Sequence, residues 1–245
     1  MVKEWTTPVG EVYTLFEDML AQDHLLVAGA TGSGKSVLIN GLIATAMYNS
    51  PAAVRFILID PKRVELAEYA DLPHTIAHAA GFNPDAWRKA LQYAVSIMDA
   101  RYAEMERKRL RKYVGSDVYV VIDEWANVYN NGGPSCYKAV LRLISEGRAA
   151  RVHVIIATQV PKATIIPTEI RENFAARVCL RTNNAAQSRV VMDENGCEGL
   201  PRYGFGFYVK PEGTDLYKLP YIQDNERHAL LDYWMKNGKP RIIAG

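Results

Sequence analysis

Gly29-Ala30-Thr31-Gly32-Ser33-Gly34-Lys35-Ser36 is the stretch on which the fold turns. It fits the pattern G-x-x-x-x-G-K-[ST]. The apolar run Leu25-Leu26-Val27-Ala28 precedes it, and Val37-Leu38-Ile39-Asn40-Gly41-Leu42-Ile43 follows. That order predicts a strand, a glycine-rich turn and a helix. In such a turn backbone N–H groups close around a polyphosphate, and the helix N-terminus adds positive potential. Gly29, Ala30, Thr31, Gly32, Ser33, Gly34, Lys35, Ser36 and Val37 are therefore expected to hold a nucleotide, ATP or GTP. Lys35 should reach the β- and γ-phosphates, and Ser36 should ligate Mg²⁺.

Outward from the turn, strands alternate with helices. Strands are predicted at 24–28, 55–60, 118–122, 152–157, 174–180, 204–209 and 215–221. Most of the first five are continuously apolar, as in a parallel sheet covered on both faces. Helices are predicted at 35–48, 84–113, 135–149, 184–193 and 224–236. In the second of these Trp87, Leu91, Val95, Met98, Tyr102 and Met105 recur at spacings of three and four, which marks a core-facing stripe. The expected fold is α/β, a doubly wound and mostly parallel sheet. An antiparallel hairpin around Pro211-Glu212-Gly213-Thr214 is expected to end it. One domain spanning 1–245 is expected, with residues 1–20 and 237–245 peripheral.

Composition bounds the partners. The 245 residues are 49% hydrophobic with a formal net charge of +2, so any nucleic-acid contact must rest on local charge. Cys136, Cys179 and Cys197 lack metal-type spacing and read as reduced thiols. Met1-Val2-Lys3-Glu4-Trp5-Thr6 does not read as a signal peptide, and no apolar run approaches the ~20 residues of a membrane span. A cytoplasmic protein without membrane insertion is expected. The basic run Arg101 to Lys112 reads as a solvated helix end, with contact to DNA or a neighbouring subunit as the alternative.

Two further strand ends carry chemistry. Val118-Tyr119-Val120-Val121-Ile122 runs into Asp123-Glu124. Asp123 is expected in the Mg²⁺ shell and Glu124 beside the water that attacks the γ-phosphate, which favours a hydrolase over a kinase. Val152 to Ala157 runs into Thr158-Gln159, and the Gln159 amide can sense a γ-phosphate because it both donates and accepts. Just upstream, Arg148 reads either as surface charge or as an arginine finger that completes a neighbour's site.

Together these segments resemble the motor domain of the FtsK/SpoIIIE DNA translocases. The likeness runs from His24 to Val209 through His24–Val37, Ile59-Asp60-Pro61-Lys62-Arg63-Val64-Glu65-Leu66, Val121-Ile122-Asp123-Glu124-Trp125-Ala126, Arg148–His153, Ala157-Thr158-Gln159 and Gln187-Ser188-Arg189. It implies a RecA-like P-loop ATPase core with ATP and Mg²⁺ as cofactors. Lys35, Glu124, Arg148 and Gln159 are then catalytic, and Ser36 and Asp123 hold the metal. It implies a homo-oligomeric ring, usually hexameric, that pumps double-stranded DNA. Lys162, Arg171 and Arg189 then contact DNA phosphates. Val160 stands where the family commonly has arginine, and Ala185, Ala186 and Gln187 replace a lysine and an aspartate. These departures imply a weaker or differently placed grip on DNA. The likeness also implies a motor domain alone, excised or naturally minimal, recruited by an unidentified partner. The alternatives are a coupling or packaging ATPase of a transfer machine and a nucleotide-dependent scaffold.

Overall fold

A computed structural model of the protein describes residues 12–238. Eight strands form one sheet: β1 His24–Ala28, β2 Val54–Asp60, β3 Thr75–Ala80, β4 Asp117–Ile122, β5 Val152–Thr158, β6 Ala176–Leu180, β7 Phe205–Lys210 and β8 Gly213–Lys218. Their order is β3-β2-β4-β5-β1-β6-β7-β8. The first six run parallel, and β7 and β8 add antiparallel. The hairpin expected at the end is present, with Lys210 paired to Gly213.

Alternating strand residues feed two cores, as the period of two requires. Leu26, Ile57, Ile59, Val120, Val154 and Ile156 face α3 Pro84–Lys108, α4 Trp125–Asn131 and α5 Gly133–Glu146. Leu25, Val27, Phe56, Leu58, Val121 and Ile155 face α1 Val12–Ala21 and α2 Lys35–Ala46. Short α6 Thr168–Arg171, α7 Ala185–Met192 and α8 Asp224–Asn237 complete the chain. The sheet is thus doubly wound, as expected.

Three sequence expectations need correction. Residues 12–20 are not a peripheral lead-in: Leu15, Phe16 and Met19 of α1 are buried in the second core. The end of the tail, 239–245, lies outside the described residues, as do residues 1–11. The helix expected to reach 113 stops at Lys108. Arg109 adopts φ 56°, its amide closes on Glu106 and that of Leu110 on Met105, the paired bonds of a Schellman cap. Arg101 is not a solvated helix end. It is buried, donates to the carbonyls of Ala150 and Arg151 and to Ser116, and lies 4.4 Å from the Tyr113 ring centre. The other cations of the run, Arg107, Lys108, Arg109, Arg111 and Lys112, are exposed.

Candidate functional site

Every parallel strand that carries chemistry ends on one edge of the sheet, where α/β proteins bind ligands. The phosphate loop leaves β1 sewn to both neighbours: the Gly29 amide donates to Thr158 at 3.1 Å and the Ala30 amide to Arg181 at 2.8 Å. Gly34 takes φ 108°, and a Cβ there would lie 2.9 Å from the Gly204 backbone. Glycine is therefore required twice over, by conformation and by close approach. α2 starts at Lys35 with its open amides on the cleft. The cleft encloses about 530 Å³.

Lys35 and Asp123 meet inside it. The Lys35 ammonium pairs with Asp123 Oδ1 and donates to the Asp123 carbonyl at 3.0 Å, both side chains being buried. Burial raises the Asp123 pKa, and the Lys35 charge opposes that rise. Asp123 Oδ2 is buried without a hydrogen-bond partner. The Ser36 hydroxyl donates to Glu65 at 2.6 Å. An unpartnered carboxylate oxygen, a hydroxyl and a second carboxylate suit Mg²⁺, a hard cation that takes oxygen ligands.

Glu124 follows Asp123 and is held by three donors. Thr158 Oγ1 at 2.8 Å and the Gln159 amide at 3.1 Å reach Oε1, and Lys62 Nζ reaches Oε2 at 3.0 Å. Lys62 is brought there by Asp60, whose buried carboxylate accepts the amides of Lys62, Glu65 and Leu66 at 3.0–3.1 Å. The segment from Asp60 to Leu66 is thus a loop folded around one aspartate. Gln159 lines the cleft together with Lys35 and Ser36. The sequence reading assigned no role to Lys62, Glu65 or Thr158. All three lie inside segments quoted there, but no local spacing links them to Glu124 or Ser36.

Arg148 sits elsewhere. It precedes β5 on the opposite edge of the sheet, roughly 20 Å of strand away from Gln159. It is 78% exposed and pairs with Asp23 at 3.0 Å. It cannot touch the phosphate loop of its own chain. Lys162, Arg171 and Arg189 come from three segments, the loop after β5, α6 and α7, yet line one shallow depression. Arg171 pairs with Asp193 at 2.9 Å, and Arg189 donates to Asn195 at 2.6 Å. Cys136, Cys179 and Cys197 are free and buried. No cluster of His, Cys, Asp and Glu able to hold a metal by itself occurs among the described residues.

Residues 4–195 match the model of the FtsK/SpoIIIE family. The chain is 32% identical to the DNA translocase FtsK of Leptospira interrogans, over 92% of this chain and 26% of that protein. It is 31% identical to the DNA translocase FtsK of Vibrio vulnificus, over 94% of this chain and 27% of that one. The chain therefore spans about a quarter of the length of these relatives. Among solved structures, the conjugation coupling protein TcpA of pCW3, in complex with ATPγS, shares the fold with a TM-score of 0.74. It is 22% identical, and the match covers 88% of this chain and 66% of that one. The cytoplasmic domain of the type VII secretion ATPase EccC of Thermomonospora curvata gives 0.76 at 22% identity, over 90% and 29%.

Proposed function

The chain belongs to the FtsK/SpoIIIE family, and from that premise we propose that it is an ATP-hydrolysing motor that moves double-stranded DNA. The observation that carries the chemistry is the meeting of Lys35, Asp123 and Glu124 on one cleft. Lys35 and the loop amides bind the triphosphate. Ser36 and Asp123 would hold Mg²⁺, which would supply charge neutralisation to the triphosphate. Glu124 orients water and accepts its proton as the water oxygen bonds to the γ-phosphorus and the bond to the β,γ-bridging oxygen breaks. Little else is asked of the protein, since phosphoryl transfer rests on positioning and charge. Gln159, at the mouth between β5 and the loop, reports whether the γ-phosphate is present.

Residues 1–245 act as one motor domain in a homo-oligomeric ring, six subunits being the expected number, in the cytoplasm. Arg148 is consistent with the ring: its exposed guanidinium lies on the far edge of the sheet from its own chain's cleft, so any ATP it completes belongs to a neighbour. No helix among the described residues is long and apolar enough to cross a membrane. The depression lined by Lys162, Arg171 and Arg189 supports DNA contact, because convergent cations from three segments suit phosphates rather than base edges.

Replacement of these three by alanine tests the reading. The expected result is unchanged basal ATP hydrolysis, lost stimulation by duplex DNA and a shallower dependence of DNA binding on salt. Unchanged affinity and salt slope would place the DNA path elsewhere. A wild-type protein that binds no duplex at any ionic strength with an ATP analogue would end the translocase reading.

A further inference from the structure

One wall of the nucleotide cleft has no part in phosphate chemistry. Tyr203, Gly204, Lys218, Leu219 and Tyr221 line the cleft together with the phosphate loop. All five come from one end of the β7–β8 ribbon. Phe205 pairs with Lys218, and the Leu219 amide donates to Gly204 at 2.6 Å, so the ladder continues one step past both strands. Tyr203 and Tyr221 flank that step. The Gly204 amide donates to the Ser33 carbonyl at 2.8 Å, which ties this end of the ribbon to the phosphate loop itself.

The two tyrosines are placed at a cost. Tyr203 is 77% and Tyr221 58% exposed. Tyr203 also takes φ 67°, a left-handed conformation that a bulky side chain rarely adopts. Strain of this kind collects at ligand clamps. Of the wall's charged groups, Lys218 has its ammonium 5.7 Å from the Phe205 ring centre. Aromatic faces at the mouth of a cleft whose floor binds phosphate suit the other end of a nucleotide. Bases stack on aromatic faces with little regard to their hydrogen-bonding edges.

We propose that Tyr203 and Tyr221 form the subsite for the nucleobase and grip purines by stacking. The inference rests on the nucleotide reading above. A clamp of this kind favours the larger π-surface, so ATP and GTP bind more tightly than CTP.

Calorimetric titration of the full chain in Mg²⁺ with ATP, CTP and inorganic tripolyphosphate tests it. Tyr203→Gly removes the ring at a backbone conformation that glycine adopts freely, and Tyr203→Phe keeps the stacking face. Tyr203→Gly and Tyr221→Ala are each expected to weaken ATP about tenfold and to leave tripolyphosphate unchanged. Tyr203→Phe should match the wild type. Unaltered ATP affinity in both ring-deleted variants overturns the clamp. So does equal loss of ATP and tripolyphosphate, since the damage would then lie in the phosphate loop. A wild-type protein that binds ATP no more tightly than tripolyphosphate overturns the clamp and leaves the phosphate reading standing. Binding of neither overturns both.

Discussion

Glu124 differs from its neighbour Asp123 in what surrounds it. Asp123 has one buried oxygen without a partner, whereas both oxygens of Glu124 are occupied. Lys62, 38% exposed, reaches Oε2 from the solvent side, while Thr158 and the Gln159 amide hold Oε1 from β5. Glu124→Gln keeps an acceptor for Thr158 and Gln159 but cannot take a proton, and it leaves Lys62 without its counter-charge. We expect ATP binding to survive and single-turnover hydrolysis to fall by at least about a hundredfold. Lys35→Ala should instead lose most binding of a fluorescent ATP analogue. Wild-type turnover in Glu124→Gln would remove Glu124 from the chemistry.

At the scale of the element, β1 and β5 are joined by a histidine as well as by their ladder. His24 opens β1, and its Nδ1 accepts the Val154 amide at 3.0 Å. A ring proton on that nitrogen would break the bond. Burial first, with the neighbouring His153 second, pulls the His24 pKa from 6.5 down to about 3. The unfolded chain therefore binds more protons than the folded one between those values, and stability falls as pH drops below about 6.5. The loss between pH 7 and pH 5 should be about 2 kcal/mol. Urea unfolding midpoints at the two pH values measure it. His24→Asn retains an acceptor and does not titrate, so its midpoint should change less over the same range. β3 and α1 show the limits of reading elements one at a time. Thr75-Ile76-Ala77-His78-Ala79-Ala80 carries little β-propensity and forms a strand because β2 offers it an edge. α1 is held by Leu15, Phe16 and Met19 in the second core, contacts that no window of sequence shows.

At the scale of the molecule, the sheet separates the nucleotide cleft from Arg148. The phosphate loop, Asp123 and Glu124 occupy the carboxyl edge, and Arg148 the opposite one. If the ring reading holds, each active site is shared between two subunits. Arg148→Ala should bind ATP yet hydrolyse it poorly, and so should Glu124→Gln. Mixed in equal amounts, the two variants should recover part of the wild-type rate, because some sites pair an intact Glu124 with an intact Arg148. The steady-state rate of the mixture against each variant alone is the measurement. No recovery, together with a rate per subunit that ignores protein concentration, would contradict a shared site.

Local order was legible in the chain itself. The phosphate loop, the apolar strands and the Asp123-Glu124 pair are each contiguous, and their chemistry follows from residue type and neighbours. Asn83-Pro84 likewise announces the start of α3, where the Asn83 side chain caps Ala86 at 3.1 Å. Tertiary structure decided what contiguity cannot express. Lys62 and Glu124 are 62 residues apart and Ser36 and Glu65 are 29 apart, and only the order β2-β4-β5-β1 puts them on one edge. The antiparallel return of β7 and β8 brings Gly204 against Gly34 and sets two tyrosines beside a loop near the other end of the chain. Strand order is set by how two apolar faces are covered at once, a property of the whole sheet, and no window of sequence contains it.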